Sequence, residues 1–361
     1  MAHTPYHLLL SAGIATTEFV DVRNEIVIVR DFRVNQGTLD ALRLVFADVK
    51  IVRGNLDYAR NSFGGTALGI CNAYRSISEI KNKLAEGQKY SNLFIFNNFQ
   101  LVSKKTMQLV NISNDCNIIY VEDGIAAYVD DKVLDNINLD HFKWCFKRLF
   151  FNLGSYGHNV RILGDEVRIR ECRVLFPEHV HDVLRKKLVS EISGDQLRKG
   201  IITLYEGDLL QNGLICDAVI VLLDLFSEVR DLAVYTATLE CIVLMCVAMN
   251  RVMYVKYHPR ETRDYMESFF HQHEGIKRIC SSVPSEVLLY SCKGDLHLIA
   301  TITTSFVTAF KLSKSIRCVS LAKVLGVDSN QGEFLRKIGV EFPANIDDLG
   351  NVIARRNFHL S

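Results

Sequence analysis

Short, almost uninterrupted apolar runs, each followed by a stretch with helical spacing, dominate this sequence and restrict it to a parallel α/β architecture. Glu25-Ile26-Val27-Ile28-Val29 and Val49-Lys50-Ile51-Val52 read as strands, as do Asn92-Leu93-Phe94-Ile95-Phe96 and Cys116 to Val121. A strand that is apolar on both faces must be covered on both faces, which is what crossover helices do in a parallel sheet. Thr66 to Leu84 and Lys104 to Ile112 have the helical spacing such crossovers need. The rhythm repeats in the second half. Strands are expected at Ala218–Leu223, Arg251–Lys256, Leu296–Ile302 and Arg317–Leu321, and helices at Val234–Met249, Glu261–Phe270 and from Val307 to Leu312. Alternation of this kind marks doubly wound sheets.

At 361 residues the chain exceeds the usual reach of one core, so two domains are expected. The charged stretch His179–Lys199 reads as a helical link with a boundary near Gly200, giving domains 1–199 and 200–361. Two doubly wound, Rossmann-like halves facing each other across a cleft make the GT-B arrangement. The formal net charge of +1 provides no global field for nucleic acid, so any bound anion must be held by local donors. Ten cysteines show no CxxC pair and no Cys/His cluster suited to zinc, which points to reduced, mostly buried thiols in a cytoplasmic protein and to no metal site. The start of the chain lacks the pattern of a signal peptide. The apolar stretch Tyr235–Asn250 is short for a membrane span and contains Glu240, so it is expected to be a buried helix.

Ligands of open α/β sheets bind beyond the carboxyl ends of strands, and three expected strands end in reactive residues. The first end is Glu122-Asp123-Gly124, a carboxylate pair before a glycine suited to a tight turn. A carboxylate there can take a proton from an attacking hydroxyl, although the same residues also suit a plain turn with a helix cap. The second is Lys256-Tyr257-His258-Pro259-Arg260. Proline fits a first helical turn, whose free N–H groups would seat a phosphate, with His258 donating to it and Lys256 adding charge. A structural strand-end histidine is the alternative. The third is Thr303-Thr304-Ser305, three hydroxyls that suit either a helix cap or a phosphate. On the other side of the expected cleft, Asn97 and Asn98 suit either hydrogen bonds to sugar hydroxyls or helix capping in a polar turn, and Gly65 and Thr66 suit either the same wall or a plain turn. Gly64-Gly65-Thr66 lacks the lysine of a P-loop. His141–Phe151 mixes basic and large apolar residues, so it reads either as a helix packed on the sheet or as a peripheral membrane contact.

Taken in order, Glu122-Asp123-Gly124, His258-Pro259 and Thr303-Thr304-Ser305 resemble the three motifs of bacterial sialyltransferases, specifically the lipo-oligosaccharide sialyltransferase and capsular polysialyltransferase families. The opening Thr4-Pro5-Tyr6-His7-Leu8-Leu9 is similar to the start of those families, and Val283-Pro284-Ser285-Glu286 to a segment whose glutamate holds a ribose. The third motif departs from the pattern by beginning with threonines. The resemblance implies an inverting transfer of sialic acid from CMP-sialic acid to a glycan hydroxyl, with no metal or other cofactor. Asp123 or Glu122 would be the base and His258 the partner of the leaving phosphate. Lys256, Pro259, Glu286, Thr303, Thr304 and Ser305 would bind the donor. The acceptor would be an oligosaccharide or lipid-linked glycan of the bacterial surface, and the enzyme cytoplasmic or peripheral on the inner membrane. Homodimerisation is left open. A transferase for another CMP-linked acid sugar such as Kdo, and a non-catalytic nucleotide-sugar-binding protein, are the rival expectations.

Overall fold

The computed structural model describes residues 1–54, 65–84, 89–111, 116–129, 151–153, 162–212, 215–261, 263–273, 275–281, 283–327 and 329–355, with backbone alone for 65–73, 208–212 and 215–216. It divides into two compact units, Met1–Leu204 and Tyr205–Ser361. Both are built on parallel sheets.

In unit 1, β1 (Glu25–Val29) pairs in parallel with β2 (Asp48–Val52). A second parallel sheet has the order β3 (Asn92–Ile95), β4 (Asn117–Val121), β5 (Ile169–Val174) and β6 (Leu188–Glu191). The first two residues link these sheets: Ala2 bridges Ile28, and the Met1 nitrogen donates to the Phe94 carbonyl at 2.8 Å. The helices are α1 (Pro5–Thr17), α2 (Gln36–Val45), α3 (Gly65–Lys83), α4 (Leu101–Val110) and α5 (Gly194–Asn212), the last continuing past Leu204 into unit 2. Thr4 caps α1 by accepting from the His7 N–H, and Pro5 occupies the first turn, where no N–H is missed.

α1 is buried along most of its length, with Leu8, Leu9 and Leu10 all in the core. Its closest neighbour explains two glycines. A Cβ on Gly13 would lie 2.0 Å from the Gln196 carbonyl oxygen, and one on Gly200 would lie 2.1 Å from the Leu9 carbonyl oxygen. Gly200, placed at a boundary by the sequence pattern, is thus inside α5 and allows two helix backbones to touch. α5 bends at Tyr205, whose φ and ψ are −133° and 22°.

The stretch expected as a helical link has a different structure. His179–Lys199 contains short 3-10 turns, the edge strand β6 and only the start of α5. Residues 188–191 find hydrogen-bonding partners on β5, and this pairing overrides the helical composition around them.

In unit 2 the strands are β7 (Ile215–Leu222), β8 (Val252–Lys256), β9 (Lys277–Ile279), β10 (Cys292–Ala300) and β11 (Ile316–Ser320). They form one parallel sheet in the order β11-β10-β7-β8-β9. The chain therefore winds outward from β7 in one direction, returns to β10, and winds outward in the other. The switch point lies between β7 and β10. The helices are α6 (Leu232–Ala248), α7 (Glu267–Gln272), α8 (Ser285–Ser291), α9 (Ser305–Leu312), α10 (Gln331–Lys337) and α11 (Ile346–Ala354). Asp231 caps α6 through the N–H groups of Ala233 and Val234. Val219, Val221, Leu239, Ile242, Val255, Ile299, Val319, Leu349 and Ile353 form the core that holds α6 and α11 to the sheet. Each such side chain contributes about 1.5–3 kcal/mol by leaving water.

The expected helix Glu261–Phe270 is shortened to α7, because Glu261 ties the preceding segment into a loop. Its carboxylate accepts from the N–H of Phe226 and of Arg263, both at 2.8 Å. Cys116, Cys172, Cys246 and Cys318 are free, buried thiols. Among the described residues no helix is long and apolar enough to cross a membrane. Of the basic and aromatic stretch His141–Phe151, only Phe151 is described, and it is buried against Ile77 and Leu153.

Candidate active site

Glu122 and Asp123 follow β4 directly, and their environments are opposite. Gly124, with φ of 65°, makes the tight turn that presents them. Glu122 is fully buried. Its Oε1 accepts from the Tyr6 hydroxyl at 2.7 Å, and its Oε2 accepts from the Tyr128 hydroxyl and, at 2.7 Å, from the Leu175 N–H. A carboxylate committed to three internal donors joins α1, β4 and the end of β5. The expectation that either carboxylate could serve as the base is corrected for Glu122, whose two oxygens are both taken by internal donors.

Asp123 keeps 27% of its side chain exposed. His7 Nδ1 accepts from the His3 backbone N–H at 3.1 Å, so the ring hydrogen is on Nε2, which donates to Asp123 Oδ1 at 2.7 Å. The His7 ring is buried and stacked on Phe96, with centroids 4.1 Å apart and planes inclined by 9°. Asn97 Nδ2 donates more weakly to Oδ2, at 3.3 Å. Burial alone would raise the Asp123 carboxyl; the adjoining His7 and the hydrogen bonds from His7 and Asn97 outweigh it and hold the group below the usual carboxylate range. Asp123 is therefore ionised and oriented, and Oδ2 carries the weaker of its two bonds.

The two asparagines also part company. Asn97 Oδ1 accepts from the N–H groups of Phe99 and Gln100, so this residue both shapes the entry to α4 and touches Asp123. Asn98 is buried, with Oδ1 accepting from the Gly164 N–H at 3.1 Å. It is a core amide and cannot meet an acceptor sugar, contrary to expectation. Gly65 and Thr66 open α3, but the Thr66 side chain lies outside the described residues, as does all of Gly64.

In unit 2, the end of β8, the loops after β8 and β10 and the starts of α8 and α9 carry the other expected residues. His258 is partly exposed. Its Nδ1 accepts from the Arg260 N–H at 3.1 Å, which leaves the hydrogen on Nε2. Burial, with Arg260 and Lys256 adding to it, lowers its pKa to about 4, so at neutral pH it is an uncharged donor. Pro259 occupies a turn closed by the Glu261 N–H on the His258 carbonyl at 2.9 Å. No helix starts there, and the expected helical phosphate seat after Pro259 is withdrawn.

Lys256 is buried rather than directed at ligand. Its Nζ donates to the carbonyls of Ser281 at 3.0 Å and Tyr257 at 3.3 Å, and burial pushes its pKa down to about 8. Its charge is opposed by Glu286, also buried, whose carboxyl is raised by desolvation. The two buried charges thus couple the end of β8 to the start of α8. Ser285 and Ser305 hydroxyls meet at 2.7 Å and join the starts of α8 and α9. Thr303 Oγ1 accepts from the Ser305 N–H at 3.2 Å. The Thr304 side chain makes no capping bond. Of the three hydroxyls, Ser305 is thus turned inward, and Thr303 and Thr304 retain hydrogens to donate.

Residues without an assigned role in the sequence prove central. Tyr6 and His7 lie in the opening run, one in contact with Glu122 and the other with Asp123. Asp224 follows β7 at the switch point, and the rule that singled out Glu122 and Asp123, a polar residue after an apolar strand, applies to it equally. Among the described residues no three His, Cys, Asp or Glu side chains converge as metal ligands.

Solved structures share this fold. UDP-GlcNAc 2-epimerase from Neisseria meningitidis, bound to UDP-GlcNAc, matches with a TM-score of 0.56 at 10% identity, over 97% of this chain and 88% of its own. The GT-B domain of a sialyltransferase from Photobacterium damselae matches with a TM-score of 0.50 at 11% identity, over 92% and 95%. UDP-GlcNAc 2-epimerase from Methanocaldococcus jannaschii gives 0.50 at 12% identity, over 93% and 92%. At such identities the likeness is one of fold, and it establishes the expected GT-B class. No curated protein sequence matches the chain. The profile of the alpha-2,8-polysialyltransferase family matches residues 52–322, about three quarters of the sequence, and the chain belongs to that family. It is a glycosyltransferase, as its three motifs led one to expect.

Proposed function

We propose that this protein transfers sialic acid from CMP-sialic acid to a hydroxyl of a growing surface glycan, with inversion and without a metal. Asp123 Oδ2 removes the proton of the acceptor hydroxyl as its oxygen bonds to the anomeric carbon of sialic acid. The bond from that carbon to the phosphate oxygen breaks on the opposite side, and its electron pair leaves with CMP. His258 Nε2–H, with the Thr303 and Thr304 hydroxyls, stabilises the charge gathering on the phosphate, which is where preorganised donors contribute most. Lys256 and Glu286, both buried, act on the elements that carry these donors and not on the donor itself.

The observation that carries this reading is the unequal treatment of the acid pair: Glu122 is saturated by internal donors, whereas Asp123 is ionised, oriented and open. Family membership supports a sialic acid donor. The test is transfer from CMP-sialic acid to oligosialyl and lactosyl acceptors, with CMP-Kdo as a rival donor. Asp123→Asn and His258→Asn should each reduce kcat by about 10²–10⁴-fold. Full activity in either variant, or preference for CMP-Kdo, would remove the proposal.

A further inference from the structure

The strand order of unit 2 reverses between β7 and β10, and open α/β sheets bind ligands at that reversal. The residue after β7 that reaches this point is Asp224. Thr301, after β10, donates its hydroxyl to Asp224 Oδ2. The Asp224 N–H donates to the Tyr235 hydroxyl at 3.1 Å, and the Tyr265 hydroxyl donates to the Asp224 carbonyl at 2.6 Å. The backbone is therefore fixed, Oδ2 is engaged, and Oδ1 makes no hydrogen bond to the described protein. β8, which leads to His258, pairs directly with β7, and β10, which leads to Thr303, pairs with β7 on its other side.

A carboxylate is an unexpected group to place among donors meant for phosphate. The titratable groups around it do not neutralise it. They are Glu228 of its own loop, Tyr235 of α6 and Tyr265 ahead of α7, with Glu261 behind Tyr265. Among the described residues Asp224 forms no ion pair. Burial, aided by Glu228 and only partly offset by Thr301, raises its pKa to about 6. A carboxyl group in surroundings that disfavour its charge can work as a hydrogen-bond donor. Thr301 fixes which oxygen accepts, which leaves Oδ1 to carry the hydrogen.

We propose that Asp224, in its acid form, donates a hydrogen bond from Oδ1 to an anionic oxygen of the nucleotide-sugar donor. The inference rests on the reading of unit 2 as the donor-binding unit and adds to it a binding residue that the three motifs omit. Its consequence is that donor binding takes up a proton. The anion further favours the acid form, so affinity is full at low pH and falls as pH rises through the titration of Asp224.

The test is calorimetric binding of a 3-fluorinated CMP-sialic acid, whose phosphodiester and carboxylate stay ionised between pH 5.5 and 8, to wild type, Asp224→Asn and Asp224→Ala. Asparagine keeps an oxygen for Thr301 and presents N–H in place of O–H. Wild-type affinity should weaken by at least about tenfold between pH 6 and 8. Asp224→Asn should bind like wild type at pH 6 and tighter than wild type at pH 8, with a flatter pH dependence. Asp224→Ala should lose about tenfold at pH 6. Heats measured at pH 7 in two buffers of different ionisation enthalpy should show more proton uptake by wild type than by Asp224→Asn, whatever His258 contributes to both. Cytidine 5′-methylphosphate, which has the phosphodiester but no carboxylate, identifies the oxygen: the same pattern assigns the phosphate, and its loss assigns the sialic acid carboxylate. Equal loss in Asp224→Asn and Asp224→Ala at pH 6, or equal proton uptake by wild type and Asp224→Asn, overturns the inference. A wild type that binds no CMP-sialic acid analogue overturns the functional reading as well.

Discussion

His7 should set the working pH range of Asp123. Replacing it by leucine removes the Nε2–H bond to Asp123 Oδ1 at 2.7 Å and the acceptor for the His3 N–H. A hydrogen bond to a charged group contributes about 1.5–3 kcal/mol, and the lost stack on Phe96 a further ~0.5–1.5 kcal/mol. Part of that loss falls on stability. The part that orients the carboxylate should lower kcat by about ten- to a hundredfold, since 1.36 kcal/mol is tenfold in rate. The pH dependence separates the two. In the native protein His7 and Asn97 outweigh burial and keep Asp123 below its ordinary range. Without His7 burial prevails, and the carboxyl titrates at higher pH. A base must be ionised to work, so the acid limb of kcat/KM should move upward in His7→Leu. His7→Gln, whose amide can both accept from His3 and donate to Asp123, should restore part of the rate and return the limb toward its native position. The assay is the pH–rate profile of sialyl transfer, run well below the thermal transition of each variant. An unmoved acid limb in folded His7→Leu would show either that Asp123 is not the base or that His7 does not control it.

Glu122→Gln should act on stability rather than on chemistry. Glutamine turns an N–H toward one of three donors, from Tyr6, Tyr128 or Leu175, at a cost of about 1–3 kcal/mol, seen as a lower Tm with kcat of the folded enzyme little changed. A large fall in kcat at unchanged Tm would place Glu122 against substrate instead. Gly13→Ala and Gly200→Ala should each destabilise the α1–α5 contact by roughly 1–3 kcal/mol, because the added Cβ would stand 2.0 or 2.1 Å from a carbonyl oxygen. The double variant should cost less than the sum, since the first substitution already separates the helices, and denaturant titration of the four proteins measures this. Strict additivity would mean that the two contacts yield independently.

Sequence pattern located the strands made largely of apolar residues and missed β5, β6 and β9, which are not. β1 was expected at Glu25–Val29 and lies there, and β4 and β8 differ from expectation by one residue. β5, Ile169-Arg-Glu-Cys-Arg-Val174, escaped because its charged residues break the apolar run; in the sheet Arg173 and Glu171 pair at 2.7 Å, and Arg173 also reaches Glu18 at 2.6 Å. The Glu171 pair is local, but the Glu18 partner lies 155 residues away, so no local window shows that Arg173 is fully matched in the sheet. β9 is three residues long and is defined by its pairing with β8. The extent of α7 was misjudged because Glu261, an ordinary first-turn acid by sequence, is committed to a distant loop.

The same limit governs the candidate site, and it shows which of its residues are exchangeable in kind. Residue type and position after a strand suffice to single out Glu122, Asp123 and His258 as candidates, because the carboxyl end of a parallel strand is an address. They do not suffice to assign work, because work depends on which oxygen or nitrogen is left over once the fold has taken its share. Glu122 and Asp123 are adjacent and chemically alike, yet two tyrosines and a backbone N–H consume one, while a histidine fixed by its own neighbour's backbone aims the other. Asp224 and Thr304 emerge by the same accounting, through an atom without a protein partner. Exchanging Glu122 and Asp123 should therefore fail twice. An aspartate at 122 is one methylene too short to span Tyr6, Tyr128 and Leu175 together, and a glutamate at 123 pushes the carboxylate past His7. If the swapped protein folded and transferred at the native rate, the division of roles drawn from these hydrogen bonds would be wrong.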